Sequence, residues 1–290
     1  MWALLAVKLG CLLALTLVPL LGGLLPATIL RLRGSLGTGF SGAAQGIVTC
    51  VAGGVFLGAC LLDVVPDSLA DLRDEMNRRS LSLDFPIPEL TLALGFLLVL
   101  VMEHVILDCT ERHGDEASFP LLPRASHGEA DRPPCDLEGE APSPFRSLVL
   151  TVSLSLHSVF EGLAIGLQET EAKVLQLAVA ILLHKTAIAL SLALLLLRSR
   201  LPFRWVTACL VTFVLMCPLG MSVGMAMTHG PEAGGSTARS VLEGVAAGTF
   251  MYITFLEILP KELHSPTSRL PKVLAVLLGF SGMAALRFMG

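Results

Sequence analysis

His157 and Glu161 stand four residues apart inside an apolar run, Ser-Leu-His157-Ser158-Val-Phe-Glu161-Gly162-Leu-Ala-Ile-Gly166. That spacing puts an imidazole and a carboxylate on one helical face, where together they suit a borderline divalent cation such as Zn2+. A second run, Ala-Val-Ala-Ile-Leu-Leu-His184-Lys185-Thr-Ala-Ile-Ala, supplies a further imidazole. Two carboxylates repeat the four-residue spacing in Cys60-Leu-Leu-Asp63-Val-Val-Pro66-Asp67 and read as an entrance vestibule. Glu103 and His104, Glu243 and Glu257 also fall in apolar surroundings. An ionisable group in hydrocarbon costs from a few to over about ten kcal/mol unless paired, hydrated or metal-bound, so each is a functional candidate. Plainer roles compete: interhelical hydrogen bonding for a lone histidine, interfacial snorkelling for Glu257, Lys261 and Glu262, and a solvated loop for Asp67.

The elements that must carry these groups are membrane helices. Of the 290 residues, 53% are hydrophobic and only 15% charged, against about 25% charged in soluble domains. A soluble chain of this kind would expose large apolar patches. Eight stretches approach the roughly 20 apolar residues a spanning helix needs: 8–30, 43–66, 88–109, 147–168, 174–197, 205–227, 239–259 and 270–289. The first is too long for the apolar core of a signal peptide. The expectation is an all-α integral membrane protein of about eight helices, a single domain overall. It is divided into 1–109 (three spans), a disordered cytoplasmic loop over 110–146, and 147–290 (five spans). The loop is rich in Pro, Asp, Glu and Arg and cannot bury enough apolar surface to order itself.

Lys and Arg number 12 in the loops after spans one, three, five and seven, and 7 on the opposite side, with Lys185 inside a span. The bias puts both termini on the non-cytoplasmic side. A net charge of −4 offers no basic excess for a nucleic-acid partner. The 7 cysteines are scattered and form no CxxC pair, so they suggest neither a disulfide framework nor a thiolate site. Gly and Pro inside spans permit close helix contacts and kinks, and Gly162 and Gly166 extend the His157–Glu161 stripe as small residues.

His-Ser-Val-Phe-Glu-Gly-Leu-Ala-Ile-Gly-Leu-Gln (157–168) resembles the fourth-span signature of the ZIP family of zinc and iron-type transporters. Leu-Leu-His-Lys (182–185) is similar to the fifth span of its animal subfamily II, and residues 241–263, 53–63 and 101–104 resemble further spans of that subgroup. The resemblance implies a ZIP-type bundle with pseudo-symmetric repeats, elevator-like motion, and Zn2+ uptake into the cytosol. It implies a multi-pass plasma-membrane address with both ends extracellular, and it is compatible with an endoplasmic-reticulum or endosomal pool and with a homodimer. Zn2+ is then cargo, with no separate cofactor. Family ligands carry over to His157, Glu161 and His184. Glu243 matches a sixth-span carboxylate tied to a second metal position. Asp63 and Asp67 match residues at the entrance, as does, less directly, Glu103 in span three.

The chain departs from the family where many members have His-Glu-x-Pro-His-Glu: here the run is His184-Lys185-Thr186-Ala187-Ile188-Ala189. Lys185 replaces a bridging acid, and its ammonium is expected to substitute for the second ion by neutralising Glu161 or Glu243. On that reading Lys185→Glu would restore a second site. Cd2+, Fe2+ or Mn2+ carriage and metal export are the alternative transport readings. An exporter of the cation-diffusion type has six spans and paired HxxxD-like motifs. HExxH is absent and no GxSG run stands beside a catalytic histidine, so protease chemistry has no support, and the chain is expected not to be an enzyme. A scaffold with structural polar pairs is the remaining class.

Overall fold

The computed structural model describes residues 2–35, 42–78, 85–114, 144–199, 201–227, 235–263 and 269–289. Every regular element among them is helical: α1 (Trp2–Ser35), α2 (Gly42–Ala59), α3 (Val65–Arg78), α4 (Ile87–Gly114), α5 (Pro144–Gly166), α6 (Glu171–Arg198), α7 (Phe203–Met227), α8 (Gly235–Tyr252), α9 (Leu259–Leu263) and α10 (Arg269–Met289). Eight stretches are long and apolar enough to cross a bilayer, α2–α3 and α8 with its continuation counting as one each. That is the number expected. Residues 110–114 extend α4 and 144–146 begin α5, so the expected loop is shorter at both ends, and its centre, 115–143, lies outside the described residues.

The helices pack chiefly as α5 on α7, α1 on α6, α2 on α10 and α4 on α8, with α8 also touching α5 and α3. Lipid tails are as apolar as leucine, so helix association in a membrane depends on close packing rather than hydrophobic burial. The α5–α7 seam shows how it is achieved. A Cβ on Gly162 would lie 2.1 Å from the Cys217 carbonyl oxygen, and one on Gly220 would lie 2.3 Å from that of Val159. The expected small-residue stripe on α5 therefore meets a matching stripe on α7. Conversely, Leu9, Leu13, Leu17, Leu21 and Leu25 of α1 recur every four residues and are all exposed, a lipid-facing ridge.

Two spans carry a widened π-helical turn. One, Cys60–Val64, joins α2 to α3, and the other, Ile253–Ile258, joins α8 to α9. Each contains an acid three residues before a proline, Asp63 before Pro66 and Glu257 before Pro260. Proline cannot donate to the helical ladder, and single π turns often mark functional positions because the extra residue redirects a side chain. Both acids are buried. Glu257 therefore does not snorkel to the interface; it lines a small cavity with Phe56, Leu154 and Ile188.

Candidate metal site

The central turns of α5 and α6 bring His157, Glu161 and His184 together, and one ligand atom of each lies within 4.8 Å of the others. All three are buried. Their placement follows from the packing just described: Gly162 lets α5 sit against α7, and the i, i+4 spacing turns His157 and Glu161 toward the same neighbour. Glu161 Oε1 is the hub, 2.6 Å from His184 Nε2 and 3.5 Å from His157 Nε2.

The proton on His157 can be assigned from its partners. Its Nδ1 lies 3.1 Å from the Ala246 carbonyl and 3.0 Å from Thr249 Oγ1. A carbonyl only accepts, so Nδ1 carries the hydrogen. The Thr249 hydroxyl donates to the same carbonyl at 2.7 Å, which leaves its oxygen free to accept from Nδ1. In the neutral ring, Nε2 is then a bare lone pair, buried and without a hydrogen-bond partner. It faces a carboxylate with no proton between them, an arrangement that a cation relieves. Ring orientation by a second-layer hydrogen bond is usual for metal-binding histidines. Phe250 completes the seat, stacked on His157 with centroids 4.9 Å apart and tilted against His184 at 5.3 Å.

His184 differs. Its Nε2–H donates to Glu161, and its Nδ1 has no partner among the described residues. Tetrahedral zinc at about 2.0–2.1 Å from each donor spaces the donors about 3.3 Å apart. The His157–Glu161 separation already fits. An ion held by all three would require the 2.6 Å His184–Glu161 separation to lengthen and the Nε2 proton of His184 to move to Nδ1.

A cavity runs from this cluster past Asp63, Asp67, Asp71 and Glu243 to Arg287. Asp63 and Asp67 are thus at its wall, and both are held by Arg287 of α10, at 3.0 and 2.5 Å. Composition and spacing gave no hint of Arg287, since it lies 220 residues or more from its partners. Asp71 and Glu75 were also missed, although they continue the four-residue spacing of Asp63 and Asp67 along one face.

The remaining expected site residues fall elsewhere. Glu243 belongs to α8, in the seventh span and not the sixth. It lines the cavity but accepts from Gln168 Nε2 at 3.0 Å and sits 3.8 Å from Arg239; it is not part of the three-residue cluster. Glu103 does not line the cavity. It accepts from Tyr252 at 2.7 Å, so a place at the entrance is replaced by an α4–α8 tie. Lys185 is fully buried, donates to Ser158 at 3.1 Å and lies over the Phe213 ring at 4.8 Å. Among the described residues it forms no ion pair with Glu161 or Glu243, contrary to expectation. The reason is geometric: successive helical residues diverge by about 100°, so with His184 turned to Glu161, Lys185 faces α7.

A profile of the family described as ZIP Zinc transporter matches residues 5–287. Zinc transporter ZIP1 of Danio rerio is 48% identical over 299 positions, covering 99% of each chain. Zinc transporter ZIP1 of Homo sapiens is 44% identical over 98% of this chain and 91% of its own. Zinc transporter ZIP2 of Mus musculus is 37% identical over 98% of each.

Proposed function

The chain belongs to the ZIP zinc transporter family, and from that premise we propose that it carries Zn2+ across a bilayer into the cytosol, with His157, Glu161 and His184 holding the ion in transit. The observation that carries this reading is the His157 Nε2, buried 3.5 Å from the Glu161 carboxylate and without a hydrogen-bond partner among the described residues. Two electron-rich groups placed so, with Nδ1 pinned from behind, are arranged for a cation and not for each other.

Asp63, Asp67 and Asp71 draw the hydrated ion into the cavity, where it exchanges waters for two imidazoles and a carboxylate. Imidazole donors favour zinc over magnesium or calcium. Relative movement of the helix groups then opens the site to the other side. Glu243, beside the cluster but engaged by Gln168, is a relay position and not a primary ligand. A multi-pass plasma-membrane location with both termini outside fits this direction of transport.

The test is accumulation of radiolabelled zinc in cells expressing the chain, beside His157→Ala at equal surface density. Accumulation that falls to background in the variant is expected. Net zinc loss from the cells would reverse the direction, and equal accumulation by the variant would remove the site from the pathway.

A further inference from the structure

The mouth of the cavity poses a problem that the zinc site does not. Asp63, Asp67, Asp71 and Glu75 succeed one another at four-residue steps along the widened turn and α3. An oxygen-only cluster of this kind is chemically matched to hard cations, calcium and magnesium above all, which would sit in the path of a scarcer ion. Yet each acid has a basic partner, brought from another helix for Asp63, Asp67 and Asp71 and supplied by α3 itself for Glu75. Lys173 of α6 lies 3.8 Å from Asp71, and Arg78 lies 3.9 Å from Glu75, which also accepts from Thr237. The most developed case is Arg287. It arrives from the last turn of α10, a largely lipid-facing helix, and divides its fork between two carboxylates, Nη1 on Asp63 and Nη2 on Asp67.

We propose that Arg287 is a tethered counter-cation that keeps hard divalent ions off the Asp63–Asp67 pair, making it a determinant of selectivity at the entrance. A guanidinium satisfies both carboxylates through directed N–H bonds and cannot leave. An ion that displaces it must recover the lost interaction further in. Zinc does so at two imidazoles; calcium, which prefers oxygen donors, gains little there. The purpose assigned to this device rests on the transport reading above, but calcium exclusion itself does not require transport.

The test therefore reads binding directly. The purified full chain in phosphatidylcholine nanodiscs is titrated with radiolabelled Ca2+, and zinc flux is followed separately. Wild-type protein is expected to show no saturable calcium binding at this pair. Arg287→Gln is expected to gain one site with a dissociation constant of about 0.1–1 mM, the range of weak extracellular calcium sites, and Asp67→Asn in that background is expected to abolish it. Arg287→Leu, an apolar residue at the end of a lipid-facing helix, carries the same expectation should Arg287→Gln fail to fold. Calcium binding by folded Arg287→Gln or Arg287→Leu that equals wild type overturns the proposal, as does a gained site that survives Asp67→Asn. Absence of zinc flux in wild-type protein would refute the transport reading and leave the calcium result standing.

Discussion

Thr249 touches no ion, yet removal of its hydroxyl is expected to weaken zinc capture. It lies fully buried on α8, and its oxygen is 3.0 Å from the His157 Nδ1 that it helps to orient. Thr249→Val keeps the shape and deletes the acceptor. One hydrogen bond contributes about 0.5–1.5 kcal/mol, equivalent to about 2- to 13-fold in affinity, and loss of such supporting partners lowers metal affinity about 10- to 100-fold in general. Here the Ala246 carbonyl still accepts from Nδ1 at 3.1 Å, so the tautomer survives and the lower end applies. The expected outcome is a KM for zinc raised about 3- to 10-fold, with little change in maximal rate, while Thr249→Ser stays close to wild type. The assay is concentration-dependent radiolabelled zinc uptake at matched surface density. A valine variant within twofold of wild-type KM, or valine and serine variants equally impaired, would refute the assignment of Thr249 as a positioning residue.

Three further outcomes follow from the same geometry. Gly162→Ala would set a methyl 2.1 Å from the Cys217 carbonyl oxygen, forcing α5 and α7 apart at an overpacking cost of about 1–3 kcal/mol; a lower Tm in detergent and reduced uptake are expected, and a variant with normal values of both would contradict the packing described. Uptake is expected to decline as external pH falls, because protons compete with the ion for both imidazoles and the carboxylate; stimulation by acid would count against ligation by His157 and His184. Lys185→Glu is expected to bind no additional metal equivalent and to lower the Tm, since a carboxylate loses the bond donated to Ser158 and the cation–π contact and sets a negative charge against the Phe213 ring; a stoichiometry of two bound metals per chain would restore the counter-ion reading.

The eight spans were legible because a bilayer demands long apolar helices, and the chain's hydropathy leaves few other choices. The cluster was legible for a related reason: His157, Glu161 and His184 are too costly in hydrocarbon to be there without a task, and the i, i+4 spacing placed two of them on one face. What stayed hidden depended on rotation and distance. Which neighbour a face meets is set by the glycine seams, so the same adjacency that put Lys185 next to a ligand could not show that it points to α7. Glu103 has the setting of a pathway acid, but Tyr252, 149 residues on, donates to it and ties it to α8. Arg287 was counted only as a loop charge. The widened turns at Cys60–Val64 and Ile253–Ile258 bury Asp63 and Glu257, and regular helical periodicity has no register in which to express them.

A carrier needs a site that releases its ion, and two features of the chain could have provided this. An ammonium beside the ligands would weaken binding by repulsion, but Lys185 is bonded to Ser158 and does not reach Glu161. The weakness must then come from the donors. Only one carboxylate lies in the three-residue cluster, so a bound divalent ion is only half neutralised. Structural zinc sites close with four protein ligands, whereas this cluster offers three. One of those three, His184, must break a 2.6 Å hydrogen bond to Glu161 to ligate, and its other nitrogen has no acceptor to fix the tautomer that ligation requires. On the proposed transit of zinc, His157, oriented by Thr249 and Ala246 of α8, would be the firmer ligand, and His184 the one expected to let go first, its Nε2 regaining a proton and its bond to Glu161 re-forming as the ion departs.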